Sequence, residues 1–224
     1  MAGRLFLAGG GDENQSSTIE EIFAGKVSKS ILYIPLAWPN DDFESCKKWF
    51  IGILKSHKKE NLKMEMLTDL NKLIKLNDYG AVFIGGGNTF KLLKKIKESG
   101  FDKKLIKYYK SGGTIYGGSA GAIILGKDIN TALMCKDADV NEVKLKDISG
   151  MNLIGGYDIQ CHFEDNQIKE HQEYIKESGR EIICIPEDSH LLIEDNKMKV
   201  RGLEPITVIT KKGITKFNPN GVIN

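Results

Sequence analysis

Arginine is scarce in this sequence. Arg4, Arg180 and Arg201 are the only three among 32 Lys and Arg residues, and those 32 are balanced by 30 Asp and Glu. A formal net charge of +2 without a basic stripe excludes a nucleic-acid-binding reading, which needs clustered cations. The lysines are spread over polar segments, as expected of solvated faces. Cysteine pairs are missing too. Cys46, Cys135, Cys161 and Cys184 form no C-x-x-C, which excludes a zinc knuckle and a thioredoxin-type motif. Cys161 and Cys184 end or lie in apolar runs and are expected to be inert core residues. Without a disulfide framework, a reducing compartment fits best. No apolar run approaches the roughly 20 residues of a membrane-spanning helix, and Met1–Leu7 has no hydrophobic region of signal-peptide length. The expectation is a cytoplasmic protein with no membrane partner. Pro/Ser-rich linkers, repeats and low-complexity tracts are also absent, so one domain over residues 1–224 is expected.

What remains is ordinary globular composition: 224 residues, 41% hydrophobic and 28% charged, enough for one sizeable core. Short apolar runs alternate with longer amphipathic segments. Strands are expected at Arg4–Ala8, Ser30–Leu36, Lys63–Leu67, Ala81–Ile84, Thr114–Tyr116, Tyr157–Cys161 and Ile182–Pro186. Helices are expected at Ser16–Phe23, Phe43–Lys58, Thr89–Glu98, Phe101–Lys110, from Ala120 to about Leu125, and at Asp165–Glu177. Asn88 stands as an N-cap before Thr89, and Gly100 just past Glu98. Such alternation predicts an α/β fold with a mostly parallel sheet and helices on both faces. The chain then changes character. His190–Ile193 and Met198–Arg201 flank Glu194-Asp195-Asn196-Lys197, and Ile206–Thr210 and Ile214–Phe217 flank Lys211-Lys212-Gly213. Both read as antiparallel hairpins at the C-terminal edge.

The sharpest motif is Thr114-Ile115-Tyr116-Gly117-Gly118-Ser119-Ala120-Gly121-Ala122. Gly117, Ser119 and Gly121 make G-x-S-x-G, the nucleophile elbow. A Ser forced into a tight turn between strand and helix is exposed at the strand's carboxyl end, and small neighbours relieve the crowding. The N–H of the next residue, Ala120, then points toward a developing oxyanion. A nucleophilic Ser needs a base. His57 lies in a lysine-rich turn and His171 on a polar helix, so both are expected at the surface. His162 directly follows the strand Tyr157–Cys161 and is the favoured base, with His190 as the fallback. The base needs an orienting acid. Glu187, after the strand Ile182–Pro186, leads; Asp188 is the alternative, and Glu164 or Asp165 rank lower. The order Ser, His, Glu differs from the Ser, acid, His of α/β-hydrolases.

Ala81-Val82-Phe83-Ile84-Gly85-Gly86-Gly87-Asn88-Thr89 is a second Gly-rich turn between strand and helix. It fails G-x-G-x-x-G at Phe90 and lacks the Lys-Ser/Thr of a P-loop. Gly9-Gly10-Gly11-Asp12-Glu13-Asn14 fails the dinucleotide pattern at Asn14. Backbone N–H groups of Gly86, Gly87 and Asn88 are therefore read as the second set of oxyanion donors, beside Ala120. No cofactor or metal is called for.

Gly85-Gly86-Gly87-Asn88-Thr89-Phe90, Gly117-Gly118-Ser119-Ala120-Gly121-Ala122, His162-Phe163 and Pro186-Glu187 together resemble the peptidase E (α-aspartyl dipeptidase) and cyanophycinase family of serine peptidases. Order and rough spacing match over about residues 3–200. The resemblance implies a three-layer α/β/α fold related to class I glutamine amidotransferases, with Ser in place of their Cys. It implies Ser119 as nucleophile, His162 as base and Glu187 as third member. Some members take the third residue from an Asp after the elbow. The matching stretch here, Asn130-Thr131-Ala132-Leu133-Met134, has no acid until Asp137 and Asp139, which favours Glu187. The family also implies hydrolysis of small peptides with a preference for an N-terminal Asp. Members are rich in Arg between the His and the acid, where this chain has only Arg180 beside Lys169, Lys176 and His171. A weaker Asp preference is expected. Gly118 stands where peptidase E carries a bulky aromatic, which widens the pocket. An amidase or esterase on the same scaffold, or a non-catalytic ligand-binding relative, are the alternatives. The expected partner is a small peptide substrate, and monomer and homodimer are equally compatible with the sequence.

Overall fold

A computed structural model describes residues 3–27, 29–135 and 137–223. In chain order the elements are β1 (Arg4–Ala8), α1 (Glu13–Lys26), β2 (Ile31–Ile34), α2 (Phe43–Ser56), β3 (Met64–Met66) and β4 (Ala81–Ile84). Next come α3 (Thr89–Glu98), α4 (Phe101–Lys110), β5 (Thr114–Gly118), α5 (Ala120–Ile123), β6 (Asp158–Gln160) and α6 (Ile168–Ser178). The last six elements are all strands with an antiparallel partner: β7 (Ile182–Cys184), β8 (Ser189–Glu194), β9 (Lys197–Gly202), β10 (Ile206–Thr210), β11 (Gly213–Phe217) and β12 (Val222–Ile223), of which β7 also pairs parallel with β6.

The main sheet has eight strands in the order β12-β9-β8-β1-β5-β4-β2-β3. Its centre, β1, β5, β4, β2 and β3, is parallel, and β8, β9 and β12 extend it antiparallel. Alternation along each strand sorts the core into two layers. Leu5 and Leu7, Leu32 and Ile34, Val82 and Ile84, and Ile115 pack with α3, α4 and α5. The residues between them, Phe6, Tyr33, Phe83 and Tyr116, pack with Ile19 and Phe23 of α1 and Phe50 of α2. The second layer is aromatic: Phe83 stacks on Tyr116 at 4.1 Å and Tyr33 on Phe50 at 4.6 Å. The fold is thus α/β/α, mostly parallel at its centre, with the two expected hairpins as β8–β9 and β10–β11. Asp195 and Asn196 both take positive φ at the β8–β9 turn, which suits a tight hairpin.

One difference from the sequence expectation bears on the site. The strands β6 and β7 do not join the main sheet. They form a separate four-stranded sheet in the order β11-β10-β7-β6. Ile159, Ile183 and Val208 on one face pack into the main core, while Ile182, Cys184 and Ile209 on the other pack against α6. A short, fully apolar strand reads the same in either sheet. Pairing partner, not composition, separates them. No helix among the described residues is long and apolar enough to cross a membrane.

Candidate active site

Ser119 sits between β5 and α5 with φ 47° and ψ −112°, a turn that aims its side chain out of the sheet. The glycines on either side are sterically demanded. A Cβ on Gly117 would lie 2.5 Å from the Gly121 carbonyl oxygen, and one on Gly121 only 2.3 Å from that of Ile84. The main-chain N–H of Ser119 donates to the Ala8 carbonyl at 3.1 Å, at the end of β1.

His162 follows β6 and Glu187 follows β7, so adjacent strands of the small sheet carry them to the same place. His162 also takes positive φ, 52°, and its N–H donates to the Gly9 carbonyl at 2.8 Å. The three side chains form a continuous chain of hydrogen bonds. Ser119 Oγ lies 2.8 Å from His162 Nε2, and His162 Nδ1 lies 2.7 Å from Glu187 Oε1. A carboxylate only accepts, so Nδ1 carries the proton and Nε2 is left to accept from the serine hydroxyl. Glu187 Oε2 accepts from Gln15 Nε2 at 3.2 Å. Gln15 is itself fixed by the N-terminal capping box of α1: Asp12 N–H donates to Gln15 Oε1 at 2.8 Å, and Gln15 N–H to Asp12 Oδ1 at 3.0 Å. The glycine before this box is equally constrained. A Cβ on Gly10 would fall 2.1 Å from His162 Cε1.

A cleft of about 650 Å³ opens over Ser119 and His162, lined also by Gly87, Cys135 and Phe163. Six carboxylates border it: Asp137, Asp139, Glu164, Glu187, Asp188 and Glu204. Of these, Glu187 bonds His162. Asp139 accepts instead from Thr89 N–H at 2.8 Å, at the start of α3. Asp165, outside the lining, pairs with Lys216 at 2.6 Å. Among the described residues no three His, Cys, Asp or Glu side chains are grouped as ligands for a metal ion. Cys135 borders the cleft, but burial pushes its thiol up to about 11, so it is a poor nucleophile at neutral pH.

The oxyanion expectation needs one correction. The main-chain N–H of Asn88 already donates to the Ala37 carbonyl at 3.0 Å, so it has no proton to offer a substrate. The Asn88 side chain is committed as well, accepting from Lys91 N–H at 2.9 Å and donating to the Val140 carbonyl at 3.0 Å. Among the described residues the N–H groups of Gly86, Gly87 and Ala120 have no main-chain acceptor. Gly86 stands against Ser119, since a Cβ there would come 3.3 Å from Ser119 Cβ.

The other histidines also depart from expectation. His57 is not solvated: its side chain is 9% exposed and meets Glu20 Oε2 at 3.4 Å, because the end of α2 packs on α1. His171 is fully buried, with Nδ1 donating to the Gln167 carbonyl at 2.7 Å and its ring edge-on to Phe163. Its polar neighbours in sequence conceal the face that α6 turns to the small sheet. His190 is fully buried within β8, and burial drives its pKa down to about 4, which removes it as the fallback base. Sequence reasoning missed Gln15 and Glu20. The Asp12–Gln15 spacing is a readable capping signature, but its link to a carboxylate 172 residues away is not.

Known proteins resemble this chain in sequence and in fold. The model of peptidase family S51 matches residues 5–201. An uncharacterized peptidase of Listeria monocytogenes serovar 1/2a is 26% identical over 184 residues, covering 80% of this chain and 85% of that one. Peptidase E of Nostoc is 24% identical over 194 residues, covering 82% and 77%. The fold is also that of solved structures. A peptidase from an acI-B1 Actinobacterium superposes with a TM-score of 0.71 at 16% identity, covering 100% of this chain and 97% of that one. A Listeria monocytogenes EGD-e protein provisionally described as peptidase E gives 0.69 at 22% identity, covering 91% and 100%. The family model spans most of the chain, G-x-S-x-G elbow included, and the chain belongs to peptidase family S51, the serine-type peptidases.

Proposed function

We propose that the protein hydrolyses short peptides in the manner of a dipeptidase, with Ser119, His162 and Glu187 as its catalytic triad. The observation that carries this reading is the unbroken chain from Ser119 Oγ to His162 Nε2 at 2.8 Å and from His162 Nδ1 to Glu187 Oε1 at 2.7 Å. Ser119 Oγ attacks the scissile carbonyl while His162 Nε2 takes its proton. The N–H groups of Ala120, Gly86 and Gly87 face the developing oxyanion. The protonated imidazole is held in orientation and stabilised by Glu187, then gives its proton to the leaving amine. Water repeats the cycle on the acyl-enzyme. The same proposal places the protein in the cytoplasm, supported by its four unpaired cysteines.

The test combines a fluorophosphonate probe with turnover of a dipeptide panel. Labelling of Ser119, lost in Ser119→Ala together with turnover, is the expected result. Peptidase activity of Ser119→Ala within about tenfold of wild type would sink the assignment, since loss of a triad nucleophile costs far more.

A further inference from the structure

The cleft has a second lobe that the triad chemistry leaves unused. Beside Ser119 lies a separate cavity of about 220 Å³, walled by the rings of Trp38, Trp49, Phe83 and Tyr116. Ser119, Gly86 and Gly118 line it too, so it lies within reach of a residue whose carbonyl is held at the nucleophile. One charged group lines it, Glu20 of α1, which is 2% exposed. Ser16 Oγ donates to Glu20 Oε1 at 2.9 Å, and His57 Nε2 lies 3.4 Å from Oε2. A carboxylate offers about four acceptor positions, so both oxygens can still accept. Burial holds the Glu20 carboxyl above its ordinary value, a penalty that an arriving cation reverses.

The chemistry of this lobe is selective. Aromatic faces attract cations. A long side chain with an apolar stem and a charged tip buries the stem on such walls and presents the tip to the acid. Gly118 keeps the lobe open. A Cβ there would meet nothing nearer than Tyr116 Cε1, at 3.5 Å, so the backbone does not require glycine, and a larger side chain would fill the space. The rest of the cleft has the same sign. Asp137, Asp139, Glu187, Asp188 and Glu204 line it, with no Lys or Arg among the described lining residues of either lobe. A substrate aspartate would meet repulsion there, not a clamp.

Resting on Ser119 as the nucleophile, we propose that this aromatic lobe receives the side chain on the acyl side of the scissile bond, and that it selects a long cationic one, lysine or arginine. The α-ammonium of a dipeptide is the other source of positive charge, and the test separates the two. Lys-Leu, norleucine-Leu and Asp-Leu all carry the α-ammonium, while only the first has a cationic side chain on an equal stem. Wild type is expected to favour Lys-Leu over norleucine-Leu and over Asp-Leu by about 10²-fold in kcat/KM, the discrimination of a site built around a buried polar partner. Glu20→Gln is expected to bring the Lys to norleucine ratio to within about threefold of unity, and Gly118→Phe to lower the same ratio by filling the lobe. A readout without turnover is protection of Ser119 from the fluorophosphonate by agmatine, present in wild type and lost in Glu20→Gln. Equal rates for Lys-Leu and norleucine-Leu, or protection unchanged in Glu20→Gln, would overturn the proposal while labelling of Ser119 keeps the triad reading intact. Absence of labelling in wild type would overturn both.

Discussion

The eight-stranded sheet delivers Ser119 from the end of a central strand, through a strained turn locked by glycines in steric contact. The four-stranded sheet delivers His162 and Glu187 from the ends of two three-residue strands, and their side chains are 31% and 44% exposed. One half of the site is therefore fixed by close packing, the other by hydrogen bonds. The residues after β1 register the two halves. Ala8 O receives Ser119 N–H, Gly9 O receives His162 N–H, and Gly9 N–H donates to Ser189 O at 3.3 Å. Ser119 and His162 thus hang from consecutive carbonyls of one segment. The 2.8 Å between them is set by neither the G-x-S-x-G motif nor the histidine's own strand.

The most damaging way to break this arrangement is at the joint. Gly10→Ala places a methyl inside the His162 ring volume, at a φ of 115° that disfavours any side chain. A kcat/KM lower by about 10⁴-fold or more is expected, with the far-UV circular dichroism of the wild type, because the base leaves the serine. Glu187→Gln acts one bond away. It leaves the imidazole without its orienting charge and should cut kcat by about 10²–10⁴-fold, and Asp188→Asn should do less. The reverse ranking would move the acid to Asp188. Gln15→Glu is subtler. It keeps an acceptor for Asp12 N–H and so preserves the helix cap, yet sets a carboxylate against Glu187 Oε2. A loss of about tenfold in kcat/KM without a shift in melting temperature is expected, the size of one charge-assisted hydrogen bond at a half-exposed position. The smallest effect lies in the large sheet far from the joint. Lys26 and Lys199, with Arg4 nearby, hold the Glu194 carboxyl down to about 2. A depressed carboxyl stabilises the fold above its unfolded value, near 4.5, and that contribution fades as pH falls toward about 2. Glu194→Gln should flatten this acid limb in a melting-temperature series and leave kcat/KM unchanged at neutral pH.

Much of this was legible in the residues. Elements β1, β4, α3 and α4 begin and end where apolar period, the Asn88 cap and Gly100 predict. The Ser, His and Glu brought together were readable because each directly follows an apolar strand, and strand ends are where an open sheet gathers its ligands. What was hidden depends on partners distant in sequence. Nothing local to Tyr157–Cys161 tells which sheet it joins. Nothing local to Asn88 shows that Ala37 takes its N–H. The polar surroundings of His57 and His171 describe their neighbours along the chain, not the helix or sheet they pack on.

The left-handed backbone of Ser119 and His162 has a consequence for heat resistance. A residue other than glycine held in such a region costs about 1–3 kcal/mol, and two of them stand at the centre of this site. The fold is consequently less stable than its packing would permit, and the shortfall is concentrated where it works. Ser119→Gly releases part of it. That variant should melt above Ser119→Ala, by about 2–4 °C for each kcal/mol recovered at this chain length, although under the proposed triad neither is expected to turn over a substrate.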